Sequence, residues 1–336
     1  MKGTGEEAAA TRGHGEHRTR SRANPGGARV LDMGEVLPFG ARKPAWFKVP
    51  APGGSRYREL RRAMEDEGLH TVCQEAACPN IGDCWKSGTA TFMILGDTCT
   101  RRCGFCNVKT GRPTHSDPLE PLRVAQSVKR MGLRHAVITS VDRDDLPDLG
   151  ASAFVGVIRS IRRFSHGTKV EVLTPDFRGE EMPLARVIAE RPDVFNHNVE
   201  TVPRLYPLAR RGSGFLRSCR VLRNAKEMGG DEVVTKSGLM TGLGESREEL
   251  VETFGLLREH GVQVLTVGQY LRPTRDHLPV VRYWHPEEFA DLERQAYEMG
   301  FESVAAGPLV RSSYHAEQTL ARTAGNGGVP ARTAAG

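Results

Sequence analysis

From about Thr89 onward the sequence alternates between short β-rich runs and amphipathic helical stretches, and this alternation restricts the fold more than any other feature. The strand candidates are Phe92–Leu95, Ala136–Ser140, Lys169–Thr174, Val194–Val199, Glu232–Ser237 and Val264–Tyr270. Leu250, Phe254 and Leu257 share one helix face, Ser246 with Glu249 makes a capping box before them, and Gly261 stands past the end. Pro286 with Glu287 and Glu288 opens another helix, with Phe289, Leu292 and Ala296 on one face and Gly300 as its stop. Six strand–helix units in series predict a parallel sheet with right-handed crossovers. Six are too few for a full eight-unit barrel, so a partial barrel and a doubly wound sheet both fit. Either one puts chemistry at the C-terminal ends of the strands.

Composition narrows the class. A chain of 336 residues suits one large α/β barrel with tails as well as two domains. No apolar run approaches the ~18 residues of a spanning helix, which argues against a membrane protein. Half of the net charge of +6 comes from residues 1–30, where six Lys and Arg face three Glu. That stretch is rich in Gly and Ala and reads as a solvated, disordered tail. Its glutamates argue against a mitochondrial transit peptide, and the lack of interleaved aromatics argues against a nucleic-acid arm. The end of the chain, from about Thr323, has the same frayed composition.

Six of the seven cysteines fall between Cys73 and Cys106. Crowding of this kind in a long chain points to metal or cluster ligation in a reducing compartment, hence the cytoplasm, and not to a disulfide scaffold. Cys99, Cys103 and Cys106 follow the first strand candidate with C-x3-C-x2-C spacing. Three thiolates in one loop suit a 4Fe–4S cluster with one iron left open for catalysis. The alternative is zinc, which usually takes paired C-x2-C knuckles and four ligands.

This loop, with Gly104 and the aromatic Phe105 before its last cysteine, resembles the signature of the radical S-adenosylmethionine superfamily. The resemblance implies a partial (β/α)6 TIM-like barrel. It also implies that S-adenosylmethionine chelates the open iron and that one electron cleaves it to a 5′-deoxyadenosyl radical inside a closed, dry cavity.

Upstream, Cys73, Cys78 and Cys84 have C-x4-C-x5-C spacing. A second iron–sulfur cluster is the simplest use for them; a structural zinc or a disulfide between the triplets are the alternatives. Together with "RSSY" at residues 311–314, the two triplets resemble the lipoyl synthase family. So do "ITSVDRDDLPD", "PDVFNHNVETVPRLYP", "TKSGLMTGLGE" and "VGQYLRPTRDHLPVVRY". The resemblance covers roughly residues 44–317. It implies that Ser313 completes an auxiliary 4Fe–4S cluster on Cys73, Cys78 and Cys84, and that Cys99, Cys103 and Cys106 hold the radical cluster. The activity implied is insertion of two sulfur atoms at C6 and C8 of a protein-bound octanoyl-lysine, with the auxiliary cluster as sacrificial sulfur donor. Implied partners are octanoylated lipoyl carrier domains (2-oxoacid dehydrogenase E2 subunits and the glycine cleavage H protein), an electron donor such as flavodoxin or ferredoxin, and a cluster-repair carrier. Neither nucleic acid nor membrane is expected.

Other expectations concern the cofactor. Phe105, Ser140, Asp142, Asn198, Glu200 and Gln269 stand in the cysteine loop or near strand C-termini, and Gly242 and Glu245 lie in a glycine-rich segment resembling the superfamily's adenosine-contacting motif. All eight are candidate cofactor contacts. Cys219 sits in a helical run, 216–228, and reads as a packed small hydrophobe. The layout expected is a tail over 1–40, an extension with the auxiliary cysteines over 41–88, the partial barrel over 89–285, a C-terminal helix with the RSSY segment over 286–320, and a tail over 321–336. The rivals are a basic protein with two zinc knuckles and a radical enzyme of the biotin-synthase kind.

Overall fold

The computed structural model describes residues 33, 35–49, 58, 62, 70–71, 80–86, 88–114, 117–314 and 316–317. Residues 1–32 and 34, the expected C-terminal tail, Cys73 and Cys78 lie outside the described residues; within the expected N-terminal tail, Leu37 donates to the Val280 carbonyl at 2.7 Å. The strands described are β1 (His70–Thr71), β2 (Thr89–Ile94), β3 (Thr98–Cys99), β4 (Lys109–Thr110), β5 (His135–Ser140), β6 (Lys169–Leu173), β7 (Val194–Asn196), β8 (Val234–Thr241), β9 (Val264–Gln269) and β10 (Ser303–Gly307).

The main sheet runs β1-β2-β5-β6-β7-β8-β9-β10, and β3 pairs separately with β4. From β2 to β10 all neighbours are parallel, while β1 joins the edge antiparallel to β2. Each new strand is added on the same side of the last. A doubly wound sheet would reverse its order at a switch point. The sequential order is that of a barrel wall, left open here between β1 and β10.

The sheet contains all six expected strands and a seventh parallel one, β10, which the sequence pattern does not announce. Its residues, Ser-Val-Ala-Ala-Gly, are small, and its last three are only half-buried. β8 also runs on to Thr241, beyond its expected end at Ser237, so Gly238–Thr241 is strand and only 242–245 is turn.

The helices bury the expected faces. In Arg247–Glu259 these are Leu250, Thr253, Phe254 and Leu257, behind the Ser246/Glu249 capping box. In Pro286–Glu298 they are Phe289, Leu292 and Ala296, behind a cap from His285. Cys219 is fully buried on Phe215–Gly229 among apolar neighbours. β2 and β9 are buried along their whole length, as parallel strands covered on both faces must be. No helix among the described residues is long and apolar enough to cross a membrane.

The sheet also buries a charged knot. Glu171 on β6 accepts from Lys236 on β8 at 2.9 and 3.3 Å, from Asn196 on β7 at 3.0 Å, and lies 3.3 Å from the His135 ring on β5. Burial alone would push the Glu171 carboxyl up, but Lys236 and His135 prevail and hold it down at about 2. The free carboxyl titrates near ~4.3. A depressed folded pKa stabilises above the unfolded value, and that contribution fades as the pH falls from ~4.3 toward 2. Replacing Glu171 by Gln leaves Lys236 buried without its counter-charge, at an expected cost of about 3–5 kcal/mol near neutral pH. Urea unfolding of the metal-free protein at pH 7 and at pH 3 checks this. A variant as stable as the parent at pH 7, or one that keeps the parent's full acid sensitivity, contradicts it.

Candidate active site

The first cysteine triplet sits on a loop that its own short strands close. β3 ends at Cys99, and its pairing with β4 brings Lys109 and Thr110 back beside Thr98 and Cys99. The Gly111 amide closes the loop by donating to the Cys99 carbonyl at 2.9 Å. Gly104 is wedged in place: its amide donates to the Ala209 carbonyl at 2.8 Å and its carbonyl accepts from Leu278 at 2.9 Å. A Cβ there would stand 2.9 Å from the Leu208 carbonyl and from Leu278 Cγ, so no side chain fits between the cysteines at that point.

The thiols open on a cavity of about 350 Å³ at the C-terminal ends of the strands, which shares part of its lining with a second of about 530 Å³. Cys99, Cys103 and Cys106 line the first on one side; Arg311, Ser312 and Ser313 line it from the C-terminal segment. Met93, Val108, Val141 and Leu173 give it an apolar interior. Burial, then the Asp142 charge, pushes the Cys99 thiol up to about 11. Burial pushes Cys103 up to about 12, against the pull of Arg210, and Cys106 also upward. Thiols of this kind ionise only when a metal displaces their protons.

Among the described residues no three His, Cys, Asp or Glu side chains converge tightly enough to hold a single ion. A single zinc draws its ligands together, whereas a cubane takes one thiolate per iron, so that the ligands stand apart around it. Three thiols spread around one cavity suit such a cluster. Ser140, Asp142 and Asn198 also line the cavity, and each carries a buried side-chain oxygen with no hydrogen bond. That of Asp142 lies 3.4 Å from the Arg101 guanidinium; each of the other two costs about 1–3 kcal/mol unless a ligand satisfies it. Oxygens of this kind around one cavity fit a polar cofactor.

Phe105, Asn198 and Glu200 line both cavities. Glu200 lies beyond β7 with a positive φ of 68°, bridged to Leu239 of β8. Burial pushes its carboxyl up, against Arg210 beside it. Gln269 lines the wider cavity, but its side chain is committed. Its amide lies 3.1–3.2 Å from the carbonyls of Thr241, Tyr270 and Arg282, and its oxygen accepts from Trp284 at 2.9 Å. Gly242 and Glu245 do not line either cavity. Glu245 accepts the amides of Gly242 at 2.5 Å and Leu243 at 2.9 Å, and thereby folds the turn.

Two buried cations at this site lack a sequence signal. Arg101 lies inside the cysteine loop. Arg210 donates to the Asn198 carbonyl at 2.5 Å and contacts Tyr206 and His197. Burial, then Arg210, holds the His197 ring down at about 3, neutral at working pH.

The C-terminal segment leaves β10 at the mouth and packs over β9 at Gly268, where a Cβ would lie 2.2 Å from the Val310 carbonyl. It is tied to the second triplet's region: Asn80 Nδ2 donates to the Leu309 carbonyl at 2.6 Å. Burial, then Asp83 and Cys84, pushes the Tyr314 hydroxyl up, so Tyr314 stands close to both. Cys84 is itself buried. Cys84 and Ser313 thus share a neighbourhood from opposite ends of the chain.

Residues 93–257 match the Radical SAM superfamily. The chain is 59% identical over 291 residues to the lipoyl synthase of Rubrobacter xylanophilus, a match covering 85% of this chain and 90% of that protein. It is 55% identical over 281 residues to the lipoyl synthase of Methylococcus capsulatus, covering 83% and 87%. Among solved structures, methylornithine synthase superposes with a TM-score of 0.48 at 14% identity, over 82% of this chain and 94% of that one. On its sequence identity to curated relatives, over more than four-fifths of each chain, this protein belongs to the lipoyl synthase family within the Radical SAM superfamily.

Proposed function

We propose that this chain inserts two sulfur atoms, at C6 and C8, into an octanoyl-lysine carried on a protein, and so forms the lipoyl group. One observation carries the reading: Cys99, Cys103, Cys106 and Ser313 line a single cavity. The target carbons are unactivated CH2 groups that no side-chain base can deprotonate. One-electron cleavage of bound S-adenosylmethionine supplies the hydrogen abstraction they require.

The protein's part is to bind, orient and exclude water. Cys99, Cys103 and Cys106 hold the radical 4Fe–4S cluster. The orphan oxygens of Ser140, Asp142 and Asn198, with Glu200, receive the cofactor's amine and hydroxyls, and Phe105 packs beside it. Met93, Val108 and Leu173 shed water around the acyl chain. Gln269, Gly242 and Glu245 act through the wall that they brace. Cys73, Cys78, Cys84 and Ser313 hold a second 4Fe–4S cluster, which is consumed as the sulfur-donating substrate. A serine oxygen binds iron less durably than a thiolate, which suits a cluster meant to come apart. The acyl-lysine arm comes from octanoylated carrier domains of 2-oxoacid dehydrogenase E2 subunits or the glycine cleavage H protein. Flavodoxin or ferredoxin supplies electrons and a cluster carrier rebuilds the donor, all in the cytoplasm.

Anaerobic reconstitution is expected to give about eight irons per chain. An octanoyl-lysine peptide incubated with cofactor and reductant gains two sulfur atoms by mass spectrometry. Ser313→Ala is expected to keep cofactor cleavage and lose sulfur insertion; equal loss of both sinks this role for Ser313.

Gly268→Ala is expected to displace the strap at Val310, and Asn80→Ala to release it at Leu309. Each should cut sulfur insertion at least tenfold while cofactor cleavage stays within a few-fold of the parent. Parallel assays of 5′-deoxyadenosine and thiolated peptide read the ratio. An unchanged ratio in both variants contradicts the strap's role.

A further inference from the structure

Arg101 stands between Cys99 and Cys103 and is only 8% exposed. A long cation at that depth needs compensation, and it has three carboxylates from the ends of two strands. Its Nε and Nη2 donate to Asp144 at 2.6 and 2.7 Å as a planar fork. Its Nη1 lies 2.7 Å from Asp176 Oδ1 and 3.4 Å from Asp142 Oδ1, charge contacts without hydrogen-bond alignment. Asp176 is held in turn by Ser213 at 2.5 Å, by the Arg178 amide at 3.0 Å and by Arg217 at 3.4 Å. Arg101 is thus the common partner of three acids beyond β5 and β6.

The loop's backbone is sewn to the same place. Thr100 donates to the Asp142 carbonyl through its amide at 3.0 Å and its hydroxyl at 2.9 Å. The Asp144 amide returns a bond to that hydroxyl at 3.1 Å. Two amides, of Arg101 and Asp142, point at Cys99 Sγ at 3.4 and 3.3 Å. The Asp142 carboxylate lies 3.7 Å from the same sulfur. Hydrogen bonds to ligand sulfur and nearby net charge are the protein's levers on a cluster's potential.

We infer that Arg101 is a positioning residue that docks the cysteine loop onto the end of β5 and offsets the carboxylate charge beside Cys99. The inference rests on the reading of Cys99, Cys103 and Cys106 as the radical-cluster ligands. Without Arg101, Arg210 alone offsets Asp142, more negative charge bears on the cluster, and its reduced, more negative form is disfavoured. Lysine would keep the charge but lose the fork, since one ammonium cannot grip Asp144 in two places and reach Asp176 as well.

The test uses the reconstituted holoenzyme, read by potentiometric titration of the reduced-cluster electron resonance signal and by iron loss to a chelator. Arg101→Gln is expected to lower the midpoint potential and speed iron loss. Arg101→Gln with Asp142→Asn is expected to bring the potential back toward the parent's. Arg101→Lys should hold the potential near the parent's while still losing iron faster. Should Arg101→Gln fail to fold, Asp142→Asn alone is expected to raise the potential. An unchanged potential and unchanged iron retention in Arg101→Gln overturn the inference, as does an unmoved potential in Asp142→Asn. A parent protein with no cluster signal at this triplet overturns the functional reading instead, so the two failures are distinct.

Discussion

The close approach of the Val310 carbonyl to Gly268 is the contact on which the site's architecture depends. An open parallel sheet presents its strand ends on one side, where loops follow strands. The C-terminal segment leaves β10, parallel to β9, on that same side and packs over the end of β9 at Gly268. Only a residue without a side chain lets backbone pass over backbone at this distance. Because Gly268 permits this packing, Ser312 and Ser313 face the cavity lined by the first cysteine triplet, and Leu309 meets Asn80 ahead of Cys84. Residues far apart in sequence then meet at one hollow.

Charge is handled differently at the two places where the sheet buries it. Around Glu171, inside the sheet, the carboxylate is paired with Lys236, Asn196 and His135, while Asn196 Oδ1 and His135 Nδ1 are left without partners. At the mouth, Ser140, Asp142 and Asn198 keep unsatisfied oxygens and the cysteine thiols are pushed up by burial. A protein tolerates such debts at a site that a ligand completes. Arg101 and Arg210 are buried near the mouth, where they offset the acids Asp142, Asp176 and Glu200.

The sequence carries much of this. Period and caps placed the six strand–helix units, and cysteine spacing marked the triplet whose members do line one cavity. The order of strands, which excludes the doubly wound alternative, is a three-dimensional property that no periodicity encodes. β10 has no sequence signal because five small residues make no apolar run. The cofactor candidates divide on the same grounds. Ser140, Asp142, Asn198, Glu200 and Phe105 line the cavity, as residues at strand ends should. Gln269 and Glu245 have side chains spent on backbone groups, which sequence cannot reveal because their partners are assembled by folding. Arg101 was readable only as a loop residue; its three acids are brought to it by β5 and β6. Cys73 and Cys78 lie outside the described residues, so the second triplet is represented by Cys84 alone.

The central claim is that the site near Cys84 and Ser313 feeds sulfur into the cavity served by Cys99, Cys103 and Cys106. Protein reconstituted with heavy-isotope sulfide, freed of unbound sulfide and given one turnover with octanoyl-lysine peptide, tests it directly. The expected product carries two heavy sulfur atoms, formed once per chain, with irons lost in step. Product sulfur of natural isotopic mass, drawn from a light-sulfur source added to the solution, would contradict it.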